Sequence, residues 1–386
     1  MRILFLAPHP FYQERGTPIA VNLLLEALSK AGHTVDLLTY HEGVNVVHPG
    51  LTIHRIPRPP LVRNVPPGPS WKKIVCDKVM FWCALRLARR HAYDWVHAVE
   101  ESAFMAAAIR RLRGIPYLYD MDSSLGRQIV EKFRFLSFLR PALRRLERIP
   151  LRGALAVVPM CDALADIARA EGAKKVFVLR DVSLLGPIDP AMRDALDARM
   201  PPAPRFMYVG NLEKYQGLDL LLDAFQLFTQ EGGKGSLVVA GGTEADVRRY
   251  RGKADSMDLG GRVAFLGPQP VGNLSALFDL ADVLVSPRIQ GNNTPMKIYS
   301  YLASGKPVLA TDLPTHTQVL TSEVALLAPI RAGAFAEAMV RLIGEPGFRA
   351  QLGARGRALA VREYSPEAFD RSVRELCQWV ADRIPS

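Results

Sequence analysis

The chain has 386 residues, of which 49% are hydrophobic and 23% charged, and its formal net charge is +11 at pH 7. This length predicts about two or three domains, and the apolar content excludes a disordered chain. The cationic excess fits a nucleic-acid binder, a membrane-surface protein or an enzyme of anionic substrates. The whole surplus lies in residues 51–150, which hold 19 Lys and Arg against 8 Asp and Glu.

Targeting and redox signals are weak. No apolar run reaches the roughly 20 residues of a membrane span, and the stretch Ile3–Ala7 is too short for a signal peptide. We therefore expect a cytoplasmic protein. The four cysteines form neither a Cys-x-x-Cys pair nor a Cys/His ligand cluster, which argues against structural zinc and a disulfide framework.

Strand and helix patterns alternate along the chain. Residues 2–7 have the pattern of a buried parallel strand, residues 21–31 that of a helix and residues 35–39 that of the next strand. The alternation continues to about residue 179, gives way to a proline-rich segment, and restarts at residues 206–209. This pattern predicts an α/β protein with two doubly wound, Rossmann-like domains that face an interdomain cleft. The predicted parts are an N-terminal domain over 1–188, a linker over 189–204, a C-terminal domain over 205–365, and a terminal helix over 366–384 that can pack back on the first domain.

Glycines and polar residues follow several predicted strands. Gly16 and Thr17 stand just ahead of the first helix, where backbone amides and the helix dipole attract an anion, although many such glycines are only turns. Neither Gly-x-Gly-x-x-Gly nor a Gly-Lys-Ser/Thr phosphate loop is present there. In the second half, polar and small residues follow four successive strands, in the segments 208–219, 240–242, 267–270 and 286–308.

Two of these segments carry a resemblance. Residues 301–311, with the sequence YLASGKPVLAT, resemble the helix-loop-strand of family 4 of the retaining glycosyltransferases, the group 1 type with the GT-B fold. Residues 208–211 together with 217–219 resemble the phosphate loop of that family. The resemblance implies transfer of a sugar from a nucleotide-sugar with retention, without a metal or other cofactor. It also implies that the N-terminal domain is the acceptor side and that the C-terminal domain binds the nucleotide-sugar. The donor-binding residues that it suggests are Gly16, Thr17, Gly210, Asn211, Lys214, Gln216, Gly242, Arg288, Asn292, Asn293, Thr294, Lys297 and Ser300.

The chain departs from the family pattern at charged positions. The family usually has Arg where Asn211 stands and Lys where Gln216 stands, and its paired glutamates would fall at Asn292 and Ser300. Substitute cations are Arg15, Lys214, Arg288 and Lys297, each of which is equally well a solvated surface charge. These departures keep two alternatives open: a catalytically altered GT-B protein that binds a glycan or a partner, and a sugar-nucleotide epimerase or phosphorylase on the same fold.

Four carboxylates are candidate catalytic residues. Glu100 and Glu101 follow the predicted strand 95–98, and Asp120 and Asp122 follow the strand 117–119. A carboxylate there can orient an acceptor hydroxyl or stabilise an oxocarbenium-like centre. The competing interpretation is a helix cap or a first-turn acid.

Residues 51–150, which carry the cationic surplus, combine cations with large apolar residues, and this combination suits an anionic bilayer surface. The alternative is a solvated helix face over a buried apolar one. Nucleic acid ranks lower, because no recognition module is legible. We expect a lipid-linked or glycan acceptor at the inner face of the membrane, where the protein is peripheral, and the residues assigned to this surface are Lys72, Lys73, Arg140, Arg144 and Arg145.

Overall fold

The computed structural model describes residues 1–14, 16–66, 68, 70–123, 140–291 and 293–384, with the backbone alone for residue 140. The chain divides into two compact units. The first comprises Met1–Arg180 and Phe369–Ser386, and the second comprises Asp181–Ala368.

The first unit contains a parallel sheet of six strands in the order β3-β2-β1-β4-β5-β6. In register, Leu6 of the central strand lies between Leu38 and Ala98 of its two neighbours. The strands are β1 (Arg2–Ala7), β2 (Thr34–Thr39), β3 (Leu51–Arg55), β4 (Trp95–Val99), β5 (Tyr117–Met121) and β6 (Ala156–Pro159). The helices that begin in this unit are Gly16–Lys30, Trp71–Arg90, Ser102–Arg113, Arg140–Gly153 and Asp162–Ala170.

The second unit has the same layout, with a parallel sheet in the order β12-β11-β10-β7-β8-β9. Its strands are β7 (Arg205–Val209), β8 (Ser236–Ala240), β9 (Val263–Gly267), β10 (Val283–Ser286), β11 (Val308–Thr311) and β12 (Leu326–Ala328). Its helices are Pro190–Asp197, Leu218–Gln230, Glu244–Ser256, Leu274–Asp279, Lys297–Ala303, Pro314–Thr317, Ala332–Gly344 and Pro346–Glu363, with short 3-10 turns at Lys214–Gln216 and Val271–Asn273.

The central strands of both sheets are buried because helices cover both faces. Residues Ile3–Ala7 of β1 and Phe206–Tyr208 of β7 are fully buried. The prediction of two doubly wound α/β domains is therefore confirmed. It follows that the loops after the carboxyl ends of the strands lie along one edge of each sheet, where such folds place their ligands.

The boundary between the units differs from the expected one. The chain passes from the first unit to the second at Arg180, and the segment expected to be a linker contains the helix Pro190–Asp197. Asp189 caps this helix, Leu196 is buried in the second unit, and Asp197 pairs with Arg205 at 2.6 Å. Residues 189–204 are thus part of the second unit. The last helix, Pro366–Ala381, returns the chain to the first unit from Phe369 onward.

Candidate active site

The loops after β7 and β8 pack backbone against backbone. A Cβ on Gly241 would lie 2.1 Å from the carbonyl oxygen of Gly210, and one on Gly242 would lie 2.4 Å from Cγ of Leu212. Gly210 and Gly241 have φ of 151° and 111°, which favour glycine. The Tyr208 hydroxyl donates to the carbonyl of Asn211 at 2.6 Å. The loops after β7 and β8 therefore form a closely fitted surface, in which Gly210 and Gly241 leave room only for backbone.

Lys297 brings a cation to this surface. Its Nζ donates to Oε1 of Gln216 at 3.4 Å and lies 3.9 Å from the centre of the Tyr208 ring. A Cβ on Gly210 would lie 3.2 Å from the same Nζ. Desolvation and the nearby charge of Arg288 lower the pKa of Lys297 well below its usual value. Lys297 thus lies beside Gln216, at the loop where the family's own Lys and Arg are missing.

Arg288 is held by neutral acceptors. Its guanidinium donates to the Gln290 carbonyl at 2.7 Å and to the carbonyl and Oδ1 of Asn293 at 3.2 and 3.1 Å. It also lies 5.1 Å from the centre of the Tyr215 ring. A Cβ on Gly291 would lie only 2.2 Å from Nη2. None of these contacts neutralises the charge, so Arg288 is a fixed cation close to residues 210–217 after β7, which we call the glycine loop.

A buried polar network holds the backbone around Arg288 and Asn293. The Thr311 hydroxyl donates to the Arg288 carbonyl at 2.5 Å, and Thr315 donates to the Asn293 carbonyl at 2.5 Å. His316 lies 2.9 Å from the Ser286 hydroxyl through Nε2 and 2.9 Å from the Thr311 carbonyl through Nδ1. Burial lowers the pKa of His316 to about 4, so the ring is neutral at physiological pH. Sequence reasoning missed His316, because a lone histidine five residues after the end of a strand carries no motif.

The other donor candidates fall into separate groups. Asn211 and Lys214 are exposed, and Gly16 and Thr17 begin a helix of the first unit. Thr294 is buried, and its hydroxyl makes no hydrogen bond to the described residues. Arg15 and Asn292 lie outside the described residues.

Ser300 has a hydrogen-bond partner within the second unit. Its side chain is buried within the helix Lys297–Ala303, and its hydroxyl accepts a hydrogen bond from the backbone N–H of Leu184 at 2.9 Å. The residue therefore links two segments of the second unit, and its role in donor binding stays a prediction.

The carboxyl edge of the first sheet carries an ion-paired cluster. Lys73 Nζ lies 2.6 Å from Oε1 of Glu101 and 3.7 Å from Oε2 of Glu100. Glu100 has a φ of 48°, donates its N–H to the Asp120 carbonyl at 2.9 Å, and accepts from Ser123 at 3.3 Å. The two glutamates are therefore distinguished: Glu101 is tied to Lys73 at short range, whereas Glu100 is held more loosely.

Asp77 and Tyr40 complete this cluster. The Tyr40 hydroxyl donates to Oδ1 of Asp77 at 2.5 Å. Burial raises the pKa of Asp77 to about 6 and that of Glu101 to about 8. Burial alone lowers the pKa of Lys73, but Glu101 and Glu100 raise it above its usual value. Lys73 and Asp77 are four residues apart and so share one face of their helix, which the sequence alone already shows.

Asp120 and Asp122 occupy different surroundings. Asp120 pairs with His97 at 3.1 Å, and the His97 ring stacks on Phe5 with centres 4.6 Å apart. Asp122 directly follows β5 and is half-buried. No group of three or more His, Cys, Asp or Glu in the described part of the chain is arranged to hold a metal ion.

Most cations assigned to a membrane surface have partners in the protein. Lys73 is 13% exposed and belongs to the carboxylate cluster, so its assignment to an outer surface is wrong. Lys72 donates to the Arg63 carbonyl at 2.6 Å. Arg144 pairs with Glu171, but its side chain is 56% exposed, so its assignment to a surface stays a prediction. Arg145 is exposed. The side chain of Arg140 lies outside the described residues.

Comparison with known proteins adds the family. The sequence profile described as "Glycosyl transferases group 1" matches residues 199–359, and that described as "Glycosyl transferase 4-like domain" matches residues 15–181. Phosphatidyl-myo-inositol mannosyltransferase of Mycobacterium tuberculosis is 27% identical over 175 residues, which are 44% of this chain and 45% of that protein. The match thus covers less than half the length of this relative.

Solved structures extend the likeness over the whole chain. A sucrose-phosphate synthase from Thermosynechococcus elongatus aligns with a TM-score of 0.81 and 22% identity over 99% of both chains. Anabaena HepE in complex with UDP aligns with a TM-score of 0.75 and 15% identity, covering 98% of this chain and 100% of that one.

The two six-stranded parallel sheets and these structural neighbours define the GT-B class of two-domain α/β proteins. The two profile matches place the chain within that class: it belongs to the group 1 glycosyltransferases of family 4. The resemblance noted in residues 208–219 and 301–311 is thereby confirmed.

Proposed function

We propose that this protein is a retaining glycosyltransferase that moves a sugar from a nucleotide-sugar to a lipid-linked or glycan acceptor. The observation that carries the proposal is the position of Lys297, whose Nζ lies beside Gln216 and the Gly210 backbone. Diphosphates need cations and backbone amides close together. The second unit offers both at one edge of its sheet, although it lacks the family's usual Arg and Lys.

On the donor side, the glycine loop receives the diphosphate. Gly210 and Gly241 let the backbone approach the phosphates, and Lys297 and Arg288 stabilise the negative charge that grows as the diphosphate leaves. HepE, the structural neighbour solved with UDP, supports a nucleotide donor.

On the acceptor side, Glu100 accepts a hydrogen bond from an acceptor hydroxyl other than the one that attacks, while Lys73 holds Glu101 and limits the movement of Glu100. The bond between the anomeric carbon and the diphosphate oxygen breaks, and the acceptor oxygen forms its bond on the same face. The acceptor proton passes to an oxygen of the leaving diphosphate. The relative named phosphatidyl-myo-inositol mannosyltransferase supports a lipid-linked acceptor, and in this proposal the protein works peripherally at the cytoplasmic face of a membrane.

The test uses purified protein and a panel of nucleotide-sugars, with UDP-glucose first. Nucleoside diphosphate release and thermal stabilisation by a donor are the expected results. Stabilisation without release, with or without an acceptor, would instead support a protein that only binds. An altered sugar on the recovered nucleotide would support an epimerase. Absence of both stabilisation and release with every donor would refute the proposal.

A further inference from the structure

One face of the helix Trp71–Arg90 is exposed although it is rich in large apolar side chains. Trp71, Ile74 and Trp82 are 60%, 59% and 68% exposed. Cationic side chains alternate with them along the same face. We call this set the tryptophan face, and it consists of Trp71, Ile74, Lys78, Trp82, Arg86 and Arg89.

The spacing places these side chains on one stripe. Successive members are three or four residues apart, which is the repeat of neighbouring turns on one side of a helix. The opposite side carries the buried residues Cys76, Met80, Ala84 and Ala88, which pack into the core of the first unit. The helix is therefore held by its inner side, and folding does not require the exposed tryptophans.

All charged side chains of the tryptophan face are cationic. The only acid of the helix, Asp77, is bound by the Tyr40 hydroxyl within the cluster described above. Lys72 donates to the Arg63 carbonyl at 2.6 Å and so ties the preceding loop to the start of the helix. Leu61 on that loop is 93% exposed, and it adds a further apolar side chain near the same end.

The two tryptophans differ from the other two in the chain. Trp95 is buried, and Trp379 packs against Phe177 with ring centres 5.1 Å apart. Trp71 and Trp82 are eleven residues apart, so along the helix they are separated by about 16 Å. Tryptophan, isoleucine and interleaved Lys and Arg are the side chains that favour the headgroup region of a bilayer, where the indole ring has both an apolar and a polar partner.

We propose that the tryptophan face binds the surface of an anionic lipid bilayer. Trp71, Ile74 and Trp82 enter the boundary between headgroups and acyl chains, while Lys78, Arg86 and Arg89 contact the anionic headgroups. This proposal deepens the proposed function by naming the partner of the acceptor-side unit, but it requires no catalytic step. It also replaces Lys73, which is paired inside the protein, with a different set of cations.

The test is sedimentation of the full chain with phosphatidylcholine vesicles, with and without phosphatidylglycerol. We expect binding to depend on the anionic lipid, and brominated acyl chains to quench the protein's tryptophan fluorescence. Each lost cation should weaken binding about fivefold, so the double variant Lys78→Glu with Arg86→Glu should lose about 25-fold or more. The double variant Trp71→Ser with Trp82→Ser should lose binding and the quenching by brominated lipid.

The matched control is Arg248→Glu with Arg251→Glu on an exposed helix of the second unit, which should bind as the unchanged protein does. Melting curves should show that all variants remain folded. Equal binding to both vesicle types, or quenching that survives the loss of both tryptophans, would overturn the proposal. The proposal would also be overturned if, without lipid, the unchanged protein were a dimer and the tryptophan variant a monomer, since the tryptophan face would then join two copies of the chain. Vesicle binding without any nucleotide release would reject the proposed enzyme activity but retain this inference.

Discussion

Replacement of Lys297 by Met is the sharpest test of the donor site. In the free protein this amine faces the Tyr208 ring, the Gln216 amide and the Gly210 backbone. If a diphosphate occupies the glycine loop, Lys297→Met removes one charge-assisted hydrogen bond. Such a bond contributes about 1.5–3 kcal/mol, so its loss should weaken nucleotide-sugar binding by roughly 10- to 150-fold.

The low pKa of Lys297 gives the same variant a second readout. Burial and Arg288 lower the pKa of this amine, and a bound diphosphate raises it again. Donor binding therefore takes up protons at pH values between the pKa of the free amine and that of the bound one, and affinity falls as pH rises across that interval. Calorimetry in buffers of different ionisation enthalpy measures this uptake. A nucleotide-sugar is the proper ligand, because its diphosphate has no proton to exchange near neutral pH.

Two further lysines complete the experiment. Lys234→Met changes an exposed cation next to the amino end of β8, away from the site, and should leave donor affinity unchanged. Lys214→Met changes the exposed cation of the glycine loop itself and should cost much less than Lys297→Met. The reasoning would be wrong if Lys297→Met bound the donor with unchanged affinity and unchanged proton uptake, or if Lys214→Met alone abolished binding.

Three smaller predictions concern the two sheet edges. Glu100→Gln should lower kcat/KM for the acceptor by roughly 10- to 150-fold while donor affinity stays the same, because only an acceptor contact is weakened. Burial raises the pKa of Glu101 from 4.5 to about 8, so between these pH values the folded protein holds a proton that the unfolded chain releases. The free energy of unfolding therefore falls as pH rises across that interval. Urea melts of Glu101→Gln should show a shallower fall. Gly241→Ala should destabilise the second unit by about 3 kcal/mol or more, seen in thermal melts, because its Cβ would meet the Gly210 carbonyl and its φ is 111°.

The sheets were predictable from the sequence because their strands are short, continuous apolar runs. The first three strand and helix segments appear within a few residues of their predicted positions, since burial on both faces demands this pattern. The boundary between the units was less predictable. The prolines that suggest a linker include Pro190, which begins a helix capped by Asp189, and that helix is fixed by the burial of Leu196.

The candidate site was predictable as a set of residue types but not as a set of pairs. The sequence shows that Lys73 and Lys297 are cations, yet only the folded chain shows that carboxylates from the end of β4 neutralise Lys73. Ser300 stands where the family resemblance predicts a glutamate, and only the folded chain shows that its hydroxyl accepts a hydrogen bond from the Leu184 backbone N–H. Partners that are distant in sequence decide these roles, and no local pattern encodes them.

The partners of each cation indicate which kind of ligand each unit can hold. At the edge of the first sheet, Lys73 is paired with Glu101 and Glu100, and Asp77 lies in the same cluster, so acidic groups outnumber the cation. Such an edge repels a diphosphate but accepts hydrogen bonds from hydroxyl groups. At the edge of the second sheet, Lys297 and Arg288 contact only amides, carbonyls and aromatic rings in the described part of the chain, so their charges are not neutralised. This difference in charge supports the proposal that the second unit binds the anionic donor and the first unit binds a polyhydroxyl acceptor.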